Sequence, residues 1–377
     1  MLNVPQAITL DADGKFQLTG FYELTAGKVL SGESKQFGLK NWTYQQWNCP
    51  CSIQNWEYVG VYEKGRGWQA DLESLFGLQL NAHLAPALSA TAQVVMRPKN
   101  HESGDWVPTL DWAYASWQVN DEWSLQAGRK RIPLYYYSDY LYVGYAYPWV
   151  RPSADVYGWP IFTYDGVTAL YTRQLGNTDW TLNASAWTGQ SGESKKNAYN
   201  TLIYYGQPEI HERWDRINGA WVALSNGIVE GRLMTMTHQE TTTQPDGLGV
   251  INDHVFTRLM AASVNVDYEQ WVLRSELNQF QQRPHEPTRF IYDYFLLGAG
   301  YKVGKVLPMV TLSRYAVAPN SLVAREGHRT MAYSLRWDFA KNTALKVEYD
   351  VGQDKSEYSY PFFGDSKLLS VSLQGTF

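Results

Sequence analysis

Cysteine is almost missing from this sequence: 377 residues hold two, Cys49 and Cys51. Two thiols cannot build a tetrathiolate zinc site, and one intervening residue is not the C-x-x-C spacing of a redox motif. The pair reads as a small loop disulfide formed in an oxidising compartment. No uninterrupted apolar run reaches transmembrane-helix length, which excludes such a helix. It leaves a membrane strand open, because only every second residue of one meets lipid. No Pro/Ser/Gly tract or charge block divides the chain, so a single domain over 1–377 is expected, with a short segment 1–14 ahead of the first strand. A basic excess is also absent: the net charge is -5, which argues against a nucleic-acid partner. Met1 to Pro5 lacks the zones of a secretion leader, so the sequence reads as a mature form. Finally, H-E-x-x-H, G-x-S-x-G and nucleotide-binding glycine patterns do not occur. Neither an enzyme nor a metal or cofactor site is expected.

What is abundant is aromatic: 15% of the residues, with 27 Tyr and 16 Trp. These side chains join an apolar body to a polar tip and suit a surface between lipid and water. They also suit a β-rich carbohydrate-binding protein, and composition alone leaves both open. Patterning says more. Over 367–377, Leu369, Val371, Leu373, Gly375 and Phe377 alternate with Ser370, Ser372, Gln374 and Thr376, placing apolar and polar residues on opposite faces of a strand.

The same alternation marks segments at 15–27, 67–82, 88–97, 110–119, 122–131, 161–173, 179–188 and 216–225. It continues at 228–238, 255–267, 270–282, 291–302, 306–316, 329–339, 342–351 and 367–377. The connections alternate in length. Tight turns such as Ser225-Asn226-Gly227 and Ala340-Lys341-Asn342 have hairpin chemistry, and between them come long loops, including 28–66, 132–160 and 189–215. This predicts an all-β fold: an antiparallel up-and-down transmembrane barrel of sixteen strands, with the short turns at one end and the long loops at the other.

The charges choose the face. Met331, Tyr333, Leu335, Trp337 and Phe339 alternate with Ser334, Arg336 and Asp338; Leu345, Val347 and Tyr349 alternate with Lys346, Glu348 and Asp350. A charge on lipid at mid-depth costs about 2–4 kcal/mol, so the charged rows are assigned to the lumen. Trp112, Trp123, Trp180, Trp187, Trp271 and Trp337 fall near strand ends, as in an interfacial girdle.

Sixteen such strands, a last strand ending on Phe377, and the segment from Ser334 to Asp350 resemble the trimeric porins of Gram-negative outer membranes. The resemblance implies passive diffusion of small hydrophilic solutes and ions through a water-filled channel and a homotrimer among lipid and lipopolysaccharide. It also implies an assembly signal at Phe377 read by the barrel-assembly machinery, and a third loop folded into the pore.

In this chain the third loop, 132–160, is tyrosine-rich and interrupted by prolines. Tyr135, Tyr136, Tyr137, Tyr140, Tyr142 and Tyr145 are candidates for a slide on which sugars stack, and Asp139, Arg151 and Asp155 are its charges. Arg129, Lys130 and Arg131 lead into it as a basic cluster able to draw anions. Arg97, Arg232, Arg274, Glu276, Arg336 and Asp338 are further pore-lining candidates; Glu230–Arg232, Arg274–Glu276 and Arg336–Asp338 are near enough to screen one another, so salt bridges along the wall are the open alternative for each pair. Weak selectivity follows, tilted towards anions if the third loop enters the pore. The alternative is a scaffold whose long loops, above all the one carrying Trp42, Trp47, Cys49, Cys51 and Trp56, serve adhesion or complex assembly, with the pore incidental.

Overall fold

A computed structural model describes residues 7–33, 42–44, 47–55, 60–98, 106–158, 161–194, 211–244, 249–284, 289–317, 326–356 and 364–377. Among them, sixteen long strands form one closed antiparallel barrel. They are β1 (Phe16–Glu33), β2 (Leu75–Ala85), β3 (Leu88–Pro98), β4 (Trp106–Gln118), β5 (Trp123–Arg131), β6 (Thr163–Gln174), β7 (Thr181–Ser194) and β8 (His211–Ser225). The second half is β9 (Val229–Thr243), β10 (Val250–Tyr268), β11 (Trp271–Arg283), β12 (Phe290–Tyr301), β13 (Val306–Val317), β14 (Gly327–Ala340), β15 (Thr343–Asp354) and β16 (Asp365–Thr376). Each strand pairs with its chain neighbours, and β16 closes on β1 with Leu24 opposite Leu373. Closure leaves no unpaired sheet edge, the condition for strands to cross lipid.

The short turns are where hairpin chemistry put them. Asn226 Oδ1 accepts the amides of Ile228 and Val229 at 3.0 and 2.8 Å, and Asn342 is left-handed with φ 55°, a conformation asparagine tolerates. At the seam, Gly20 and Phe377 exchange backbone hydrogen bonds of 2.8 and 2.9 Å. The Phe377 ring lies flat over Gly20, where a Cβ would meet it at 2.2 Å, and stacks on Phe76 at 6.0 Å.

Burial is inverted relative to a soluble protein. Leu233 is 62% exposed and Leu277 56%, while Lys346, Ser370, Ser372 and Gln374 are 0% exposed. The outward rows are apolar, with Trp123, Trp180, Trp271 and Trp337 among the exposed aromatics. Trp187 departs from the expected girdle: it is buried in an apolar cluster inside the barrel, and Trp112 is half-buried against Tyr114 at 6.0 Å.

Segment 67–82 is not one strand. Gln69 exchanges 2.9 Å bonds with Gly27, the chain turns at 71–73, and Ser74 Oγ takes the Thr25 amide at 3.0 Å while donating to Ala70 O at 2.8 Å. The side-chain hydroxyl thus competes with the ladder. Its consequence is to swing Glu73 into the lumen. The loop between β1 and β2 carries two small hairpins, Trp42–Tyr44 with Trp47–Cys49 and Cys51–Asn55 with Gly60–Glu63. Trp56 lies outside the described residues.

Candidate functional site

Between β5 and β6 the chain does not return along the rim. It crosses the lumen, and wall side chains from β9, β11, β14, β15 and β16 hold its backbone. Lys346 on β15 donates to the carbonyls of Gly144, Tyr147 and Trp149 at 2.7, 2.7 and 2.6 Å, using all three ammonium protons. On the same side Glu348 accepts the Val150 amide at 3.1 Å and Gln374 on β16 donates to Val150 O at 2.7 Å. Arg336 on β14 donates to Tyr145 O and Tyr147 O at 2.8 and 2.9 Å. Across the lumen, Arg232 on β9 reaches Tyr136 O and Pro133 O at 3.4 and 3.3 Å. Glu276 on β11 accepts the Tyr136 amide at 3.1 Å and the Tyr157 hydroxyl. A segment without regular secondary structure needs such partners for its buried peptide groups.

Its aromatic side chains fill space rather than line water. Tyr137 stands edge-on to Trp149 at 5.5 Å and to Tyr140 at 5.7 Å. Tyr135 packs on Tyr157 at 4.6 Å and on Phe280 of the wall at 6.0 Å. With Trp187, Trp214, Met234, Met236 and Leu259 they form one apolar core on the β7–β13 side. Tyr142 lies beneath two guanidinium groups, Arg131 at 4.4 Å and Arg97 at 5.0 Å, and Arg336 covers the Tyr145 ring at 4.6 Å. Burial pushes the Tyr136 hydroxyl up to about 12 and raises those of Tyr137, Tyr140 and Tyr157 as well.

Arg151 is the electrostatic centre of the loop. It meets Glu73 at 2.6 Å, Ser370 Oγ at 2.9 Å, Glu348 at 3.5 Å and Asp350 at 3.6 Å. Burial opposes its charge, but the surrounding carboxylates outweigh that and hold its pKa above the ordinary value. Asp155 accepts from Ser313 Oγ at 2.8 Å, and half-buried Asp139 sits in a 3-10 turn at Ser138–Tyr140.

The basic triplet before the loop is dispersed. Arg129 points outward, on the face of Leu125 and Val167, and forms a two-pronged pair with Asp165 at 2.9 and 2.8 Å. It does not line the lumen, because the pleat turns residue 129 away from residue 130. Lys130 is lumenal, over the Tyr114 ring at 5.3 Å. Arg131 is buried against Asp111 at 2.9 Å and Ser138 O at 2.9 Å. The candidate wall pairs also divide. Arg336 and Asp338 meet at 2.8 Å, but Arg274 pairs with Asp267 at 2.9 Å near the short turns, while Glu276 and Arg232 turn to the loop. Cys51 is disulfide-bonded, and Cys49 is the only other cysteine.

Sequence reasoning placed Lys346 and Glu348 in the charged row without seeing what they hold, and it did not single out Gln374, Asp111 or Trp149. Alternation shows that such residues face inward. It carries no signal for a partner two hundred residues away.

Above the loop, on the side of the long connections, lies a cavity of about 430 Å³ whose floor includes Trp149 and Arg151 and whose wall includes Tyr292, Tyr315 and Glu240. Solved structures share this architecture. The outer membrane channel DcaP of Acinetobacter baumannii matches with a TM-score of 0.59 at 11% identity, over 96% of this chain and 97% of its own. The fold is that of the outer-membrane porins. An anion-selective porin from Comamonas acidovorans shares the porin fold at TM-score 0.56 and 13% identity over 96% and 99% of the two chains. Salmonella typhi OmpF, in a complex with daunomycin, shares it at 0.58 and 14% over 99% and 100%. No protein-family model and no curated sequence matches the chain.

Proposed function

We propose that the chain is a porin of a Gram-negative outer membrane, a single barrel domain that passes small hydrophilic solutes and ions by diffusion. The observation that carries this reading is the inverted burial: the outward rows are mainly apolar, and the buried charged side chains of the wall face in. Water reaches the lumen from the long-loop end, and the crossing loop narrows the path to what the aromatic core leaves free. Charges near a constriction act on passing ions at short range and low dielectric. Among the described residues, six carboxylates line the 430 Å³ cavity against one guanidinium, that of Arg151. On this reading the channel prefers cations, and the outward position of Arg129 takes one of the three basic residues before the loop away from the lumen. A homotrimer, inserted through the strand that ends on Phe377, completes the reading.

Planar-bilayer recording of the purified protein tests it. Conductance steps grouped in threes, with a reversal potential of cation sign across a salt gradient, are the expected result. Bilayers that stay silent at protein levels where porin-fold controls insert would end the channel reading and favour a scaffold. Protein that remains monodisperse without detergent would end the membrane assignment itself.

A further inference from the structure

The wall of the 430 Å³ cavity is built more carefully than passage of ions requires. Tyr292 and Tyr315 lie nearly parallel, 14° apart with ring centroids at 6.4 Å, and His328 continues the stack from Tyr315 at 6.4 Å and 29°. Hydrogen bonds fix the phenol edges. Tyr292 donates to Gln282 Oε1 at 3.1 Å, and Tyr315 donates to Glu326 at 3.2 Å. Gln282 turns its amide to Glu240 Oε2 at 3.0 Å, so the aromatic wall and this carboxylate belong to one network.

Glu240 is the second observation. It is 5% exposed, lines the cavity, and among the described residues its bonds come from two neutral donors, Gln282 and the Thr242 hydroxyl at 3.3 Å. The other carboxylates of the cavity have different commitments: Glu348 and Asp350 surround Arg151, Glu212 accepts from Trp214 Nε1 at 3.0 Å, and Asp155 accepts from Ser313. A desolvated carboxylate without a counter-cation is costly unless a cation is supplied. Here it stands beside fixed aromatic faces, which attract cations through the ring quadrupole.

We infer that this cavity binds a small aromatic ammonium ion, its ring on Tyr292 and Tyr315 and its ammonium group at Glu240. The inference rests on the channel reading for its purpose, since it names the class of solute the vestibule would concentrate before the constriction. Its geometry requires both halves of the ligand. A bare amine lacks the stacking face, and an aromatic carboxylate meets like charge.

The test uses the full chain in detergent and three probes: tyramine, propylamine and 3-(4-hydroxyphenyl)propionate. Isothermal titration is expected to rank tyramine tightest, by about tenfold or more over each of the others, a ratio that the loss of one desolvated cation or stacking contact supplies. Glu240→Gln, which removes the charge and keeps the shape, should bring tyramine down to the level of propylamine. Tyr315→Leu should weaken tyramine while leaving propylamine unchanged. Equal affinity for tyramine and the propionate, or wild-type binding by Glu240→Gln, overturns the assignment. Bilayer recording separates this from the parent reading: conducting channels that do not bind tyramine sink the site alone, and binding by protein that never conducts sinks the channel alone.

Discussion

At the scale of single residues, this molecule is governed by how charge survives burial. Lys346 has no solvent contact, yet three loop carbonyls saturate its ammonium group. Lys346→Met would leave those carbonyls unmatched, at about 1–3 kcal/mol for each group stranded. The expected outcome is a lower urea midpoint and new chymotryptic cleavage between Tyr140 and Trp149, with the barrel still folded. The loop phenols give a second prediction. Tyr136 is pushed from the ordinary 10.0 up to about 12, so the folded state keeps a proton that the unfolded chain gives up. Stability from this source is complete below about pH 10 and is lost as pH climbs towards 12. Spectrophotometric titration should show a group of tyrosines that ionises only above pH 10, together with a urea midpoint that falls over the same window. Ionisation of all tyrosines near pH 10 in the folded protein would contradict the buried packing.

At the scale of elements, the strands were legible in the sequence and their partners' charges were not. On β13 and β14, Arg314 and Arg329 stand directly opposite each other, both exposed on the outward face and without an acidic partner among the described residues. Like charges so placed oppose pairing. Arg314→Gln should raise the unfolding free energy from urea titration in a neutral detergent by about 0.2–1 kcal/mol, and a decrease would mean that the pair is stabilised by something beyond the strands. The triplet before the loop teaches the same lesson. Arg129, Lys130 and Arg131 read as one cluster along the chain, but one points outward, one to a tyrosine ring and one into a buried ion pair. Sequence adjacency is a poor guide to electrostatic adjacency in a pleated strand, because consecutive side chains leave on opposite faces. The run from Trp68 to Glu73 misled for another reason. Its alternation is intact, yet Ser74 diverts the ladder through its hydroxyl.

At the scale of the whole molecule, ion preference is a property of the summed field. Arg129→Gln should leave the reversal potential unchanged, since Arg129 and Asp165 lie outside the lumen. The cation preference itself should be clear at about 0.1 M salt and nearly gone at about 1 M, where the screening length shrinks from roughly 10 Å to 3 Å. A preference that persists undiminished at high salt would indicate a filter of close contacts instead of a vestibule field.

The sequence by itself determined the number of strands, their direction, which ends carry the loops, and which rows face outward. Those properties are written in local periodicity and turn chemistry, and a shift of one residue would turn every side chain to the wrong solvent. Only the tertiary structure decided what the lumen contains. The path of the loop, the clasp of Lys346 and Gln374, the carboxylates around Arg151 and the aromatic wall beside Glu240 all join residues far apart in the chain. Each depends on which inward positions share a height in the closed barrel, and closure is a global constraint that no local pattern encodes.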